Sequence, residues 1–206
     1  MAEMLDLRPP VRSALAGHLS PRTLGQIGAD GPGVRLYEHP FASLWQIAAW
    51  PERLGAAAAL AADIALVEAA PGPGRAIAGS RATLLRVEPL KWLAVSDTPL
   101  APPRTDGEAT VLDLSHARTR LCLEGPARRD LLACLTAIDL RARHFGHGRV
   151  ATTAIQGSAV TLACFGEGVE LYVLRSFALS LWQHLLDVGA QFGVDVVHQA
   201  ERRQAR

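Results

Sequence analysis

Hydrophobic and polar positions alternate in short runs that helical stretches interrupt, and this rhythm predicts most of the elements. Val34 and Leu36 flank Arg35, and Trp45, Ile47 and Ala49 alternate with Leu44, Gln46 and Ala48, which predicts two strands joined as a hairpin at His39-Pro40. Pro51 stands where a proline opens a helix and Glu52 suits the positive end of its dipole. Leu54, Ala57, Ala58, Ala61 and Ile64 then recur at helical spacing, so a helix is expected to about Leu66. Pro71-Gly72-Pro73-Gly74 breaks the chain, and strands follow at Ala82–Val87 and Lys91–Ser96.

Residues 97–108 hold Pro99, Pro102, Pro103 and Asp106-Gly107 without apolar periodicity, which marks a linker. Beyond it a strand is expected at Ala109–Leu114 and another at Arg118–Leu123. In the latter, Arg118, Arg120 and Cys122 share one face and Thr119, Leu121 and Leu123 the other, predicting a single buried face. Gly125-Pro126 opens a helix with Ala127, Leu131, Leu132 and Leu135 inward. Strands follow at Val150–Ile155, Ala159–Cys164 and Val169–Leu174, the last two joined through Gly166-Glu167-Gly168. A last helix is expected from Ser176 as N-cap, along the stripe Phe177, Leu181, Leu185, Val188 and Phe192, to Gly193, with a strand at Val194–Val197. The organisation expected is an arm (1–33), a first half (34–96), the linker (97–108), a second half (109–198) and a basic tail (199–206). The class is α+β, as two fused ββαβ-type halves.

Composition narrows the function. The 206 residues are 49% hydrophobic and 20% charged, which favours a globular chain. Lys plus Arg number 21 against 20 Asp plus Glu, a net charge of +1, which disfavours a phosphate-binding surface, so no nucleic-acid partner is expected. Lys91 is the only lysine, a bias that carries no chemistry by itself. Cys122, Cys134 and Cys164 form no C-x-x-C pair and read as reduced core residues. The first residues lack an apolar leader and Leu54–Ala70 is interrupted by Asp63 and Glu68, so a cytoplasmic location without membrane contact is expected.

Few constellations point to chemistry. His144 and His147 are three apart but lack further ligands nearby. Asp113-Leu114-Ser115-His116 holds the residue types of a hydrolytic triad, yet groups so close in one strand and turn do not converge as a triad does. Neither G-x-G-x-x-G nor G-x-x-x-x-G-K-[ST] occurs. Arg202, Arg203 and Arg206 read as a solvated tail. No catalytic, cofactor-binding or metal-ligating residue is assigned on these grounds. Trp45, Trp50, Trp92 and Trp182 await placement in core or interface, with Leu181 or Trp182 expected at the edge of its stripe.

From Leu112 onward several segments resemble a known family. LDLSHARTRL (112–121), LEGPARRDLL (123–132), AIDLRAR (137–143) and YVLRSFALSLWQHLL (172–186), with LWQIAAWPERLG (44–55) and PLKWLAVSD (89–97) before them, are similar to the gamma subunits of heterotetrameric sarcosine oxidases. The GP-x-x-R-x-x-L start at Gly125 is shared with the wider folate-binding aminomethyltransferase-like superfamily. The resemblance implies a fold like the first domains of the glycine-cleavage aminomethyltransferase. It also implies a non-catalytic subunit that binds no cofactor itself and stabilises alpha, beta and delta partners holding FAD, FMN, NAD and tetrahydrofolate. Two departures stand out: the short proline-containing segment 97–108 replaces an alanine-rich helix, and Gln156-Gly157-Ser158-Ala159-Val160 replaces an acidic segment that active aminomethyltransferases carry. The first admits a partner complex that demethylates another N-methyl amino acid or betaine. A different reading is a free-standing folate-binding module, with Arg118, Arg120 and Arg175 receiving a polyglutamate or other carboxylate.

Overall fold

The computed structural model describes residues 12–197, so the tail at 199–206, with Arg202, Arg203 and Arg206, lies outside the described residues, as does the start of the arm. In chain order the elements are β1 (Arg22–Leu24), β2 (Val34–Glu38), β3 (Ser43–Ala48), α1 (Leu54–Ala65), β4 (Ala76–Ala78), β5 (Thr83–Glu88), β6 (Lys91–Ser96) and β7 (Thr110–Asp113). They continue as β8 (Arg118–Glu124), α2 (Arg128–Ala133), β9 (Arg149–Ile155), β10 (Ser158–Phe165), β11 (Gly168–Leu174), α3 (Ala178–Gly189) and β12 (Val194–Val196). Single 3₁₀ turns precede α1 and α3 at Pro51–Arg53 and Arg175–Phe177.

These strands form two sheets, and the fold is the α+β one expected. The larger sheet runs β1-β12-β2-β8-β11-β10-β9 and the smaller β4-β5-β6-β3-β7. Side-chain alternation along the strands sorts the apolar residues into three cores. Trp45, Ile47, Leu84, Trp92 and Ala94 of the smaller sheet meet Ala57, Ala61, Ile64 and Ala65 of α1. The opposite faces of those strands, with Leu44, Leu85, Leu93 and Val95, pack on Val150, Ala163 and Tyr172 of the larger sheet. That sheet's other face, with Leu36, Leu121, Leu123, Leu162 and Leu171, is covered by Leu131 and Leu132 of α2 and Leu181, Trp182 and Leu185 of α3. The order of layers is α1, smaller sheet, larger sheet, α2 with α3. Each fully buried Leu or Ile in these cores contributes about 1.5–3 kcal/mol relative to exposure.

Several expectations are corrected. β2 and β3 are not a hairpin: β2 lies between β12 and β8, and β3 lies between β6 and β7 in the other sheet. The two sheets therefore differ from the two halves of the chain, because β2 joins strands that follow residue 118 and β7 joins strands that precede residue 97. β8 is buried on both faces: Leu121 and Leu123 are inaccessible, and Arg120 and Cys122 are buried opposite them. Within the arm, segment 12–18 forms hydrogen-bonded turns, and Leu15 enters the large core. α3 begins with Phe177 at its N-cap position, without a side-chain cap hydrogen bond, and Ser176 falls inside the preceding 3₁₀ turn. Leu181 and Trp182 are both buried, so neither sits at an exposed edge, while Cys134 is exposed rather than core.

Two backbone details fix the joints. Gln156 and Gly157 both take positive φ, 49° and 74°, which is the two-residue turn that matches the twist of the β9–β10 pair. Gly125, at φ 99°, leaves β8 so close to the chain before β2 that a Cβ there would stand 2.5 Å from the Gly33 carbonyl oxygen. That carbonyl accepts the Ala127 N–H at 2.9 Å, which ties the start of α2 to the entry of β2.

Candidate functional site

Three neighbouring strands of the larger sheet open at one end. β8 enters at Arg118, which stands opposite Leu174, the last residue of β11, and β2 leaves at Glu38, opposite Leu121. The Arg175 N–H continues the ladder to the Ala117 carbonyl at 2.9 Å, and the His39 N–H reaches the Arg120 carbonyl at 2.9 Å. The antiparallel pairing thus carries Arg118, Arg120 and Arg175 to one cleft of about 320 Å³, also lined by Arg12, Ser13 and Glu38 and floored by Pro40 and Phe41. The three arginines singled out from the sequence do converge.

They do not play equal parts. Arg120 is 6% exposed and is consumed by structure. Its Nε donates to the His39 carbonyl at 2.9 Å, and one terminal nitrogen donates to the Pro40 carbonyl at 2.9 Å and the Asp97 carboxylate at 2.6 Å. The other lies 3.7 Å from Glu170 Oε1, and the guanidinium carbon sits 5.8 Å over the Phe41 ring. Since His39 and Pro40 form the crossover from β2 to β3 and Asp97 follows β6, this one side chain staples the larger sheet to the smaller. Burial alone would lower its pKa, but the surrounding Tyr172, Glu170, Cys122 and Asp97 raise it, so the charge is held firmly.

Around Arg120 lies a buried polar cluster between the sheets. Tyr172, fully buried, donates its hydroxyl to Glu170, and Tyr37 donates to Glu124 Oε1 at 3.0 Å. Burial, with Glu170 nearby, pushes the Tyr172 hydroxyl and the Cys122 thiol up, so both stay protonated and Cys122 is a poor nucleophile. One ligand-type atom each of His39, Cys122 and Glu170 lies within 4.8 Å of the others, a spacing a metal would accept. The cation among these groups is the Arg120 guanidinium, and a buried thiol held protonated is a weak ligand, so the cluster reads as an ion-paired joint.

Arg118 differs. It is half-buried, its Nε is sealed from solvent without a hydrogen-bond partner among the described residues, and burial lowers its pKa. Glu38 sits nearby as the acidic member of the cleft. Burial raises its pKa, opposed by a hydrogen bond from the Ser13 hydroxyl and by the charge of Arg175. Arg12, Ser13 and Glu38 went unassigned in the sequence because the signal is non-local: nothing near Glu38 shows that it abuts residue 13 or 175.

The other constellations resolve into structure. Asp113 Oδ1 accepts both the N–H and the hydroxyl of Ser115, whose Oγ accepts the Leu44 N–H at 3.0 Å, while His116 is exposed. That turn pins β7 to β3. His147 Nδ1 accepts the Gly166 N–H at 2.9 Å, and His144 pairs with Asp139 at 3.5 Å, so the two imidazoles serve different partners. Trp45, Trp92 and Trp182 are core residues, whereas Trp50 is 78% exposed beside a hollow of about 430 Å³ lined also by Arg53, Leu90 and Glu108. Among the described residues no helix is long and apolar enough to cross a membrane.

Comparison with known proteins places this architecture. The GCVT N-terminal domain family matches residues 81–205, which cover more than half of the chain and all of the elements from β5 to β12. The chain belongs to that family. Its GCVT-family relatives include an aminomethyltransferase of Geobacillus thermodenitrificans, 35% identical over 92 residues, and one of Saccharopolyspora erythraea, 32% identical over 105 residues. The alignments take in 43% and 49% of this chain but only 25% and 28% of those enzymes, so the chain matches about a quarter of their length. Among solved structures, a chain of the heterotetrameric sarcosine oxidase from Corynebacterium sp. U-96, in complex with pyrrole 2-carboxylate, superposes with a TM-score of 0.70 at 26% identity, over 88% of this chain and 95% of that one. The glycine cleavage system aminomethyltransferase T of Bartonella henselae shares the fold, with a TM-score of 0.53 at 15% identity, over 90% of this chain and 59% of that one.

Proposed function

We propose that this GCVT-family chain is the gamma-type, non-catalytic subunit of a heterotetrameric, flavin-dependent sarcosine oxidase-like complex, where it stabilises alpha, beta and delta partners. The observation that carries the reading is reciprocal coverage: 88% of this chain matches 95% of one chain of a sarcosine oxidase heterotetramer, end to end, whereas the aminomethyltransferases extend far beyond it. The turn Gln156-Gly157, without a carboxylate where active aminomethyltransferases carry acids, supports a chain that leaves the transfer chemistry to others. The exposed Trp50 supports a partner-facing surface, because tryptophan is enriched among interface anchors.

In this reading FAD, FMN, NAD and tetrahydrofolate reside in the partners. The complex would oxidise sarcosine with oxygen, releasing glycine and hydrogen peroxide while the methyl carbon passes as a methylene group to tetrahydrofolate. The short 97–108 segment leaves room for an N-methyl amino acid other than sarcosine. The test is purification of the tagged chain from its native source, an absorption spectrum of the product and a peroxide assay with sarcosine. Three further chains, a flavin spectrum and sarcosine-dependent peroxide are expected. A single colourless chain at native expression would overturn the subunit reading.

A further inference from the structure

The cleft at the open end of the larger sheet has a property that neither assembly nor the inter-sheet joint explains. Arg120 at its base is neutralised by Asp97 and Glu170, which leaves Arg12, Arg118 and Arg175 with Glu38 as the acidic side chain lining the cleft among the described residues. Arg118 Nε is removed from water with no acceptor among the described residues, as are the Nε atoms of Arg86, Arg128 and Arg129, and of these four Arg118 is the one that lines the cleft. Leaving a buried donor unpaired is costly, so a position this close to excess positive charge is suited to an incoming anionic acceptor. The side-on edge of a guanidinium, Nε–H with one terminal N–H, matches the two oxygens of a planar carboxylate.

We propose that this cleft is a binding site for a small organic carboxylate, held by Arg118 and Arg175 with its apolar part against Pro40 and Phe41. Two features select that chemistry over an inorganic anion. Phe41 and Pro40 supply an apolar wall that an organic group uses and inorganic phosphate does not. The volume of about 320 Å³ suits a small molecule. That the cations are arginines carries no weight in a chain with one lysine; their placement and burial carry it.

The test is isothermal titration calorimetry of the full chain with benzoate, its uncharged analogue benzamide, and inorganic phosphate, at low ionic strength. Benzoate is expected to bind with one site per chain and benzamide not to bind. Arg118→Met and Arg175→Gln are each expected to weaken benzoate by about tenfold or more, and Glu38→Gln to tighten it. Arg175 follows the last residue of β11 and is only half-buried, so its variant keeps the test sound if Arg118→Met unfolds. Equal heats from benzoate and benzamide, or wild-type affinity in a folded Arg118→Met or Arg175→Gln variant, would overturn the site. Phosphate binding tighter than benzoate would overturn the organic carboxylate. Subunit assembly is read by co-purification and this site by calorimetry on the single chain, so either can fail without the other.

Discussion

Replacing Arg120 by methionine keeps most of the stem's volume and removes the guanidinium that joins the sheets. The Asp97 contact counts for little, since that carboxylate is 61% exposed and solvent screens it. The loss arises from the His39 carbonyl, left without its side-chain donor, and from Glu170, 19% exposed, left without the cation beside it. Breaking a buried charge pair from one side costs about 3–5 kcal/mol. With a urea m-value of about 2–3 kcal/mol/M, the unfolding midpoint should fall by about 1–2 M. The assay is urea titration followed by circular dichroism, with a double-mutant cycle to Glu170→Gln. The double variant should recover about 1–2 kcal/mol of the single loss, because the uncompensated charge is gone. A midpoint that does not move, or strict additivity in the cycle, would refute the idea that Arg120 is a charged staple.

Glu38→Gln should change stability with a pH signature. Burial raises the folded-state pKa of Glu38, so the folded chain holds its proton where the unfolded chain has lost it, and stability declines as pH rises from the unfolded pKa through the folded one. The variant lacks this decline and should gain on the wild type between acid and neutral pH, measured by urea midpoints at each pH; parallel curves would contradict it. Gly125→Ala places a Cβ 2.5 Å from the Gly33 carbonyl oxygen at a φ that disfavours any side chain, and should cost roughly 1–3 kcal/mol, read as a drop in calorimetric Tm. An unchanged Tm would disprove the close approach. Cys134 is exposed while Cys122 and Cys164 are buried, so Ellman's reagent should titrate one thiol in the native chain and three after denaturation. Fast reaction of a second thiol would argue against the packing of β8 or β10.

Sequence periodicity located nearly every long element, because each strand or helix beyond residue 50 that is longer than three residues carries its own apolar rhythm. It failed where partner choice is non-local. His39-Pro40 looks like a hairpin joint from its neighbours, but Leu36 pairs with Leu123 and Trp45 with Ala94, and only those distant registers reveal a crossover between sheets. The alternation of Arg118, Arg120 and Cys122 on β8 resembles a solvent face, yet Arg120 and Cys122 are buried at the joint with the smaller sheet. β1 and β4, three residues each, are too short to show a period. Arg118, Arg120 and Arg175 are legible as candidates in the sequence and the β8–β11 register brings them together, whereas Ser13 and Glu38 join through a turn of the arm that carries no pattern.

The placement of β12 sets a constraint on the order in which this molecule can be made. Val194–Val196 lies antiparallel to Arg22–Leu24 on one side and parallel to Val34–Leu36 on the other, so a strand from near one end of the described chain separates two from near the other. A nascent chain emerging from the ribosome holds β1 and β2 long before the strand that belongs between them exists. Until then β1 lacks its partner strand and β2 presents an open edge, a template for wrong pairing with another chain. Closing so long a loop late also slows folding, since sequence-distant contacts form at an entropic cost that local ones avoid. Synthesis of this chain therefore includes a period of exposure that lasts until Val194–Val196 emerges.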